Sequence, residues 1–157
     1  MTPTKEYRDK KIKQKSKESG FTKLGLDKDL IEALAKQDIV EPTKVQEQVV
    51  PLVLGGRDLL CMSETGSGKT VSFALPIINQ LKGHGGARVL VVAPTRELAK
   101  QIAGEFRKFS RHKGLKTVTV YGGVSMQPQI EKIPEADVVV GTPGRLLDLH
   151  RQNYLKL

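Results

Sequence analysis

Apolar residues recur at helical spacing from Leu26 onward, where Leu26, Leu30, Ile31 and Leu34 share one face and Asp27 is placed to cap it. A second helical stretch opens at Pro42 and Thr43, carries Val45, Val49 and Leu52 to Leu54 on its apolar face, and is closed by Gly55 and Gly56. The period then changes. Residues 58–62 form a short apolar run of the kind that makes a buried strand, and a glycine-rich loop leads from it into a helix bearing Phe73, Ile77, Ile78 and Leu81, with Pro76 expected to kink it. Apolar runs at 88–93, 117–121 and 137–141 alternate with helical patterns at 95–109, about 125–133 and 145–153. Strands and helices in alternation predict an α/β fold on a parallel sheet.

Residues 1–20 break this pattern. Lys, Glu, Ser and Gln dominate, Ile12 is almost the only aliphatic residue, and so little apolar surface cannot offset the entropy of ordering. The segment reads as a disordered basic tail, leaving 21–157 as the folded part. At 157 residues, the chain has room for one domain and too little for two with cores of their own. Hydrophobic residues at 38% and charged residues at 27% suit a water-soluble fold. The longest apolar runs, 49–54 (interrupted by Pro51) and 89–93, are far short of a bilayer crossing. No apolar stretch follows the N-terminal charges, so no secretory signal is expected, and Cys61, the single cysteine, has no partner for an intrachain disulfide. A reducing, cytoplasmic setting follows.

The formal charge of +9 attracts phosphate polyanions and makes nucleic acid the leading partner class. Eight basic and three acidic side chains in residues 1–23 carry +5 of it, so the remainder is mildly basic. The tail is either a solvated solubilising segment or a non-specific RNA contact.

The sharpest chemistry lies at Ser63-Glu64-Thr65-Gly66-Ser67-Gly68-Lys69-Thr70, between the expected strand and helix. There, successive backbone N–H groups and the helix dipole can converge on one anion. The glycines keep side chains out of the way, Lys69 can reach the β and γ phosphates, and the Thr70 hydroxyl can ligate Mg²⁺. Ser63 stands where the strict phosphate-loop pattern has glycine. His84, His112 and His150 are scattered and suggest no protein-only metal site.

Four further segments follow an ordered course: Pro42-Thr43-Lys44-Val45-Gln46, Pro94-Thr95-Arg96-Glu97-Leu98-Ala99, Gly122-Gly123 and Thr142-Pro143-Gly144-Arg145. With the phosphate loop they resemble a DEAD-box ATP-dependent RNA helicase of superfamily 2, matching its Q motif, motif I, motif Ia, GG element and motif Ib from about Phe21 to the last residue. The resemblance implies a RecA-like domain that binds ATP with Mg²⁺. Gln46 would read the adenine edge, beside Thr43, and Phe21 would stack on the base. It also implies that Pro94, Thr95, Arg96, Gly122, Gly123, Thr142, Pro143, Gly144 and Arg145 grip the RNA sugar-phosphate backbone without reading sequence. Aromatic content of 4% and the absence of Trp leave little for base-stacking platforms, which agrees with such a grip. Two of these segments also have local readings that need no ligand. Thr43 and Gln46 can close a capping box, and Thr95 with Glu97 can simply start a helix.

Asp38 replaces the usual glycine of the Q motif, and Val45 replaces the usual isoleucine. Hydrolysis needs a carboxylate at the end of an apolar strand to hold Mg²⁺, and none of the runs ends in Asp. The Asp-Glu-Ala-Asp box and the second RecA-like domain of the family are therefore expected beyond Leu157. The chain reads as an incomplete domain that binds ATP and RNA. The alternatives are a non-catalytic nucleotide and RNA-binding module, and a DNA-acting superfamily 2 translocase, which should lack the adenine-reading segment.

Overall fold

A computed structural model describes residues 4–156; residues 1–3 of the expected tail lie outside them. Contacts divide the chain into two compact units, Met1–Leu81 and Lys82–Leu157, where length alone argues for one core. The division follows the strands: every strand among the described residues belongs to the second unit.

The first unit is helical: α1 (Lys5–Glu18), a 3-10 turn (Gly20–Leu24), α2 (Lys28–Ala35), α3 (Lys44–Leu54) and α4 (Lys69–Gln80). Helix α1 occupies the stretch expected to be disordered. It buries none of its residues. Local bonds hold it instead: Thr4 accepts from the Tyr7 amide (3.4 Å), and Glu6–Lys10 and Gln14–Glu18 bridge successive turns. Lys15 also pairs with Asp38, and the hydrogen bond from Lys15 holds the Asp38 carboxyl below its usual range. Asp38 itself stands at φ +58. It ends α2 in a Schellman motif, in which the Ile39 amide donates to Leu34 O (3.1 Å) and the Asp38 amide to Ala35 O (3.1 Å). That motif wants a residue tolerant of the left-handed region, and Asp is one of the few besides glycine. Asn153 repeats the device in the second unit, at φ +61, with Tyr154 donating to Leu149 O (2.9 Å).

Residues 58–62 do not form the expected strand. A strand needs a neighbour for its backbone hydrogen bonds, and the first unit offers none. Leu60 and Met62 consequently stand 94% and 89% exposed. Pro76 lies inside α4, as Pro51 does inside α3, without ending the helix. Each removes one backbone donor.

The second unit carries a parallel sheet of β1 (Val89–Val92), β2 (Thr117–Val120) and β3 (Val138–Gly141) in the order β1-β3-β2. Helix α5 (Arg96–Ser110) packs on β2 and β3 through Ala99, Ile102, Ala103, Phe106 and Phe109, all buried. Burying Phe106 and Phe109 contributes ~2–3 kcal/mol each. Between β2 and β3 the expected helix shrinks to one turn, α6 (Gln127–Ile130), followed by a 3-10 turn (Ile133–Glu135). Pro128 suits the first turn of a helix, but Pro134 would lack the interior donor of a longer one. Helix α7 (Pro143–Arg151) closes the core through Leu146 and Leu149.

Just ahead of β3, Asp137 keeps its carboxylate 1% exposed. Its Oδ1 accepts from Arg88 Nη2 (2.7 Å), and its Oδ2 accepts from the Lys116 amide (2.9 Å) and faces His84 Nδ1 (2.9 Å). Arg88 also donates to the carbonyls of Lys82 (2.8 Å) and Gly83 (2.6 Å), tying the turn that precedes β1 to the strand start. Burial pushes the Asp137 carboxyl up, but the Lys116 amide, His84 and Arg88 together outweigh it and hold it below the ordinary range. A carboxylate depressed in the native state stabilises it above the unfolded pKa, and that stability is lost as pH falls through the folded value. Asp137→Asn is therefore expected to cost about 2 kcal/mol at neutral pH. The difference from wild type should shrink below about pH 4, where the unfolded carboxyl is protonated. Urea melts of both proteins at neutral and acid pH measure it; a constant difference across that range contradicts the assignment.

Candidate functional site

Helix α3 begins in a complete capping box. Thr43 Oγ1 accepts from the Gln46 amide (3.4 Å), and Gln46 Oε1 accepts from the Thr43 amide (3.0 Å). The ligand-free reading of Thr43 and Gln46 is thus realised, but the glutamine reaches further. Its Nε2 donates to the carbonyl of Gly68 (3.4 Å), joining the cap to the glycine-rich loop. Gly68 stands at φ +90, and a Cβ there would lie 2.5 Å from Gln46 Nε2, so the close approach requires glycine.

Gly68 is also the N-cap of α4, and no side chain caps that helix. The amides of its first turn have no acceptor within the helix, and the Ser72 amide is the first to find one, at Gly68 O (3.0 Å). The Lys69 ammonium donates to the carbonyls of Ser63 and Glu64, the latter at 2.6 Å. Ser63 and Ser67 hydroxyls bond across the loop (2.8 Å). The loop thus closes on its own lysine, whose donors meet main-chain oxygens. A cleft of about 500 Å³ lies beside it, walled by Thr43, Val45, Cys61, Ser63, Glu64 and Ser67. Thr65 and Gly66 are exposed at the loop's tip, and Thr70 is half-buried in the first turn of α4.

Phe21 is wholly buried in the 3-10 turn Gly20–Leu24, so this conformation leaves no ring face for a base. Its neighbours tie that turn to the approach to α3: the Gly20 amide and Ser19 Oγ both donate to Val40 O (2.9 and 2.7 Å).

In the second unit, parallel strands bring three sequence segments to one edge, the carboxyl end of the sheet, where ligands of open α/β sheets bind. Pro94, Thr95 and Arg96 follow β1, Gly122 and Gly123 follow β2, and Thr142, Pro143, Gly144 and Arg145 follow β3. Thr95 caps α5 by accepting from the Leu98 amide (3.2 Å). Helix α7 begins behind Gly141, where a Cβ would stand 2.5 Å from Val120 Cγ2, and has no side-chain cap. Arg145 reaches from it to Val124 O (3.0 Å), while its Nε and Nη1 are buried without hydrogen-bond partners. A guanidinium so placed has donors to spare for an acceptor.

Sequence patterning does not reveal the residue that shapes the middle of this edge. Gln129, buried in α6, accepts from the Tyr121 amide (3.0 Å) and donates to Tyr121 O (3.3 Å) and Ser125 O (2.9 Å). It clamps both ends of the loop that holds Gly122 and Gly123. A polar residue between two prolines carries no periodic signal, so only the fold exposes the role.

Residues 43–157 match the family model of the DEAD/DEAH box helicases. The chain is 46% identical over 134 residues to the DEAD-box ATP-dependent RNA helicase RhpA of Helicobacter pylori, covering 85% of this chain and 27% of RhpA. It is 45% identical over 139 residues to CshA of Streptococcus pneumoniae, another protein of that description, covering 87% of this chain and 26% of CshA. The fold resembles the crystal structure of a DEAD box protein from Methanococcus jannaschii, with a TM-score of 0.84 and 38% identity over 87% of this chain and 38% of that one. The chain thus spans about a quarter of the length of these curated relatives.

Replacing Gln129 by leucine keeps the bulk and removes the clamp. The Tyr121 amide and carbonyl then lose their partner, at a cost of about 1–3 kcal/mol. Amide exchange at Tyr121 is expected to accelerate in Gln129→Leu by more than at Val118 on the adjoining strand; equal acceleration at both positions would mean general loosening rather than a clamp.

Proposed function

The chain belongs to the DEAD/DEAH box helicase family, and we propose that it is the part of an ATP-dependent RNA helicase that binds ATP at the phosphate loop and RNA backbone at the carboxyl edge of the sheet. The relatives it resembles carry that description. The observation that carries the nucleotide reading is the junction of Gln46 with the loop: one side chain caps α3 and touches Gly68, at the uncapped start of α4.

The residues fit a triphosphate. Ser63, Glu64, Thr65, Gly66, Ser67 and Gly68 form the cradle, and the first-turn amides of α4 with its dipole attract negative charge. Lys69 exchanges the carbonyls of Ser63 and Glu64 for phosphate oxygens, acceptors of the same kind and fully charged. Thr70 would hold Mg²⁺ through its hydroxyl, alongside phosphate oxygens, since the described residues contain no group of three acidic, histidine or cysteine ligands. When bound, the nucleotide supplies the phosphoryl group whose transfer to water resets a helicase. Gln46 releases its long contact to Gly68 and presents its amide to the adenine edge, beside Thr43, while the wholly buried Phe21 would stack on the base only after exposing its ring.

At the sheet edge, Arg145 would turn its unpaired, buried donors outward, while the α7 N-terminus offers its amides and Arg96, Gly122 and Gly123 an exposed flank to successive phosphates. Such contacts grip without reading sequence. No strand among the described residues ends in a carboxylate, so the reading is of binding and not turnover by this chain. The cytoplasm is its setting, where the exposed Cys61 thiol stays reduced.

Calorimetry with ATP and Mg²⁺ tests the loop. Lys69→Ala is expected to abolish the binding heat while the circular dichroism spectrum is retained, and no phosphate should be released above background by either protein. A Lys69→Ala variant that binds ATP normally would falsify the assignment. Gln46→Ala separates the two uses of that side chain. Loss of the cap alone costs about 1 kcal/mol and leaves base preference unchanged, whereas the proposed role requires ATP to weaken relative to GTP.

A further inference from the structure

A groove of about 790 Å³ runs along β2 in the second unit, apart from the motifs already described. Strand β2 is an outer strand, paired only with β3, so its other edge is open. Lys100 from α5, Arg107 from the same helix and Lys132 from beyond α6 line the groove, and no aspartate or glutamate does. None of the three pairs with a carboxylate among the described residues. Lys100 shares its field with Glu97, but a concave surface lined by three cations and by no carboxylate is an anion site by charge.

Two of the cations are held in place. Arg107 Nε donates to Thr117 O (3.2 Å) and its Nη2 to Thr119 Oγ1 (2.7 Å), fixing the guanidinium against the strand. Lys100 Nζ lies 5.0 Å from the centroid of the Tyr121 ring, with Arg96 Cζ 5.7 Å from the same ring. Thr117 Oγ1 is buried beside them without a partner. The groove is also continuous with the carboxyl edge. Tyr121 lines it and immediately precedes Gly122, and Val124 both lines it and accepts from Arg145.

We propose that this groove is a second phosphodiester track, which takes single-stranded RNA running on from the carboxyl edge and holds its phosphates with Lys100, Arg107 and Lys132. The proposal rests on the RNA-gripping reading of that edge, and it adds a site whose occupancy depends on RNA length. A short oligonucleotide is accommodated on the edge alone; a longer one also fills the groove.

The test measures fluorescence anisotropy of the full chain with labelled single-stranded RNAs of 6 and 20 nucleotides over a range of salt. In Lys100→Gln/Arg107→Gln/Lys132→Gln, the 20-mer is expected to bind about tenfold more weakly at low salt, and its log K against log salt to flatten by about 2, near 0.7 for each lost phosphate contact on a single strand. The 6-mer should bind as it does to wild type. Lys100→Gln/Lys132→Gln keeps the Arg107 bonds to β2 and should lose an intermediate share, which guards against a fold defect in the triple variant. Wild-type affinity and slope for the 20-mer in both variants would overturn the track. So would equal losses for both RNAs, which would make the groove a general attractor. Binding of an acidic peptide, poly-glutamate, that depends on the same three residues while RNA binding does not would assign the groove to protein. The edge reading fails separately: if Arg96→Gln/Arg145→Gln leaves the 6-mer untouched, the carboxyl edge is not the primary grip, whatever the groove does.

Discussion

A β-strand persists only where a neighbour accepts and donates its backbone hydrogen bonds, and in this chain β3 meets that demand for both other strands. Its register places Val138 opposite Val89 on one side and Thr117 on the other, and its three valines are fully buried. Both ends of β3 are specified by close contacts. At the start, Asp137 gathers Arg88, His84 and the Lys116 amide, so the segments leading into β1 and β2 are tied to one carboxylate. At the finish, Gly141 lets the chain pass Val120 where no side chain would fit, and α7 begins there. Because all three strands run the same way, the residues that follow them share one edge. The candidate RNA surface is thus a consequence of parallel pairing around one central strand.

The same demand explains what sequence patterning could and could not reveal. Strong helical periodicity locates α3, α4, α5 and α7 to within a few residues, because burial of one face is local in sequence, and capping residues mark the starts of α3 and α5. The strands of the second unit were legible as apolar runs. Residues 58–62 read identically, yet pairing is not local, and Leu60 and Met62 lie in solvent. The Asp137 cluster joins residues 84, 88, 116 and 137, and no periodic pattern links them. Gln129 was hidden for the same reason. In the opposite direction, composition understated α1, whose stability comes from i,i+4 pairs and a threonine cap rather than from burial. Asp38 departed from the motif it resembles, but its left-handed backbone and the Schellman bonds give it the geometric role a glycine would have.

The glycine-rich loop at residues 63–70 illustrates how a polar segment satisfies its own lysine. An ammonium near a bend of main chain has to meet acceptors somewhere, and here it meets the carbonyls of Ser63 and Glu64. Those oxygens are neutral. A phosphate offers charged acceptors in their place, so exchange loses little hydrogen bonding and gains electrostatic energy. Gln46 is balanced in a similar way, with one short bond to its own cap and one long bond to Gly68, the weaker of which is the one a ligand would replace.

The two surfaces of the second unit differ in how their cations are disposed. At the carboxyl edge, Arg145 has buried donors with no acceptor, a directional deficit that a phosphate oxygen would fill once the side chain turns outward. In the groove along β2, Arg107 already bonds the strand, and Lys100 rests near the Tyr121 ring. What these residues have left to offer is charge more than hydrogen bonds. Tyr121 is the aromatic residue of the sheet edge, and with Lys100 and Arg96 both near its ring it anchors cations instead of serving as an open platform for a base. An edge that is directional and a groove that is diffuse suit the same ligand in different measure: the first sets where a phosphate chain is held, and the second favours the chain that is long enough to continue.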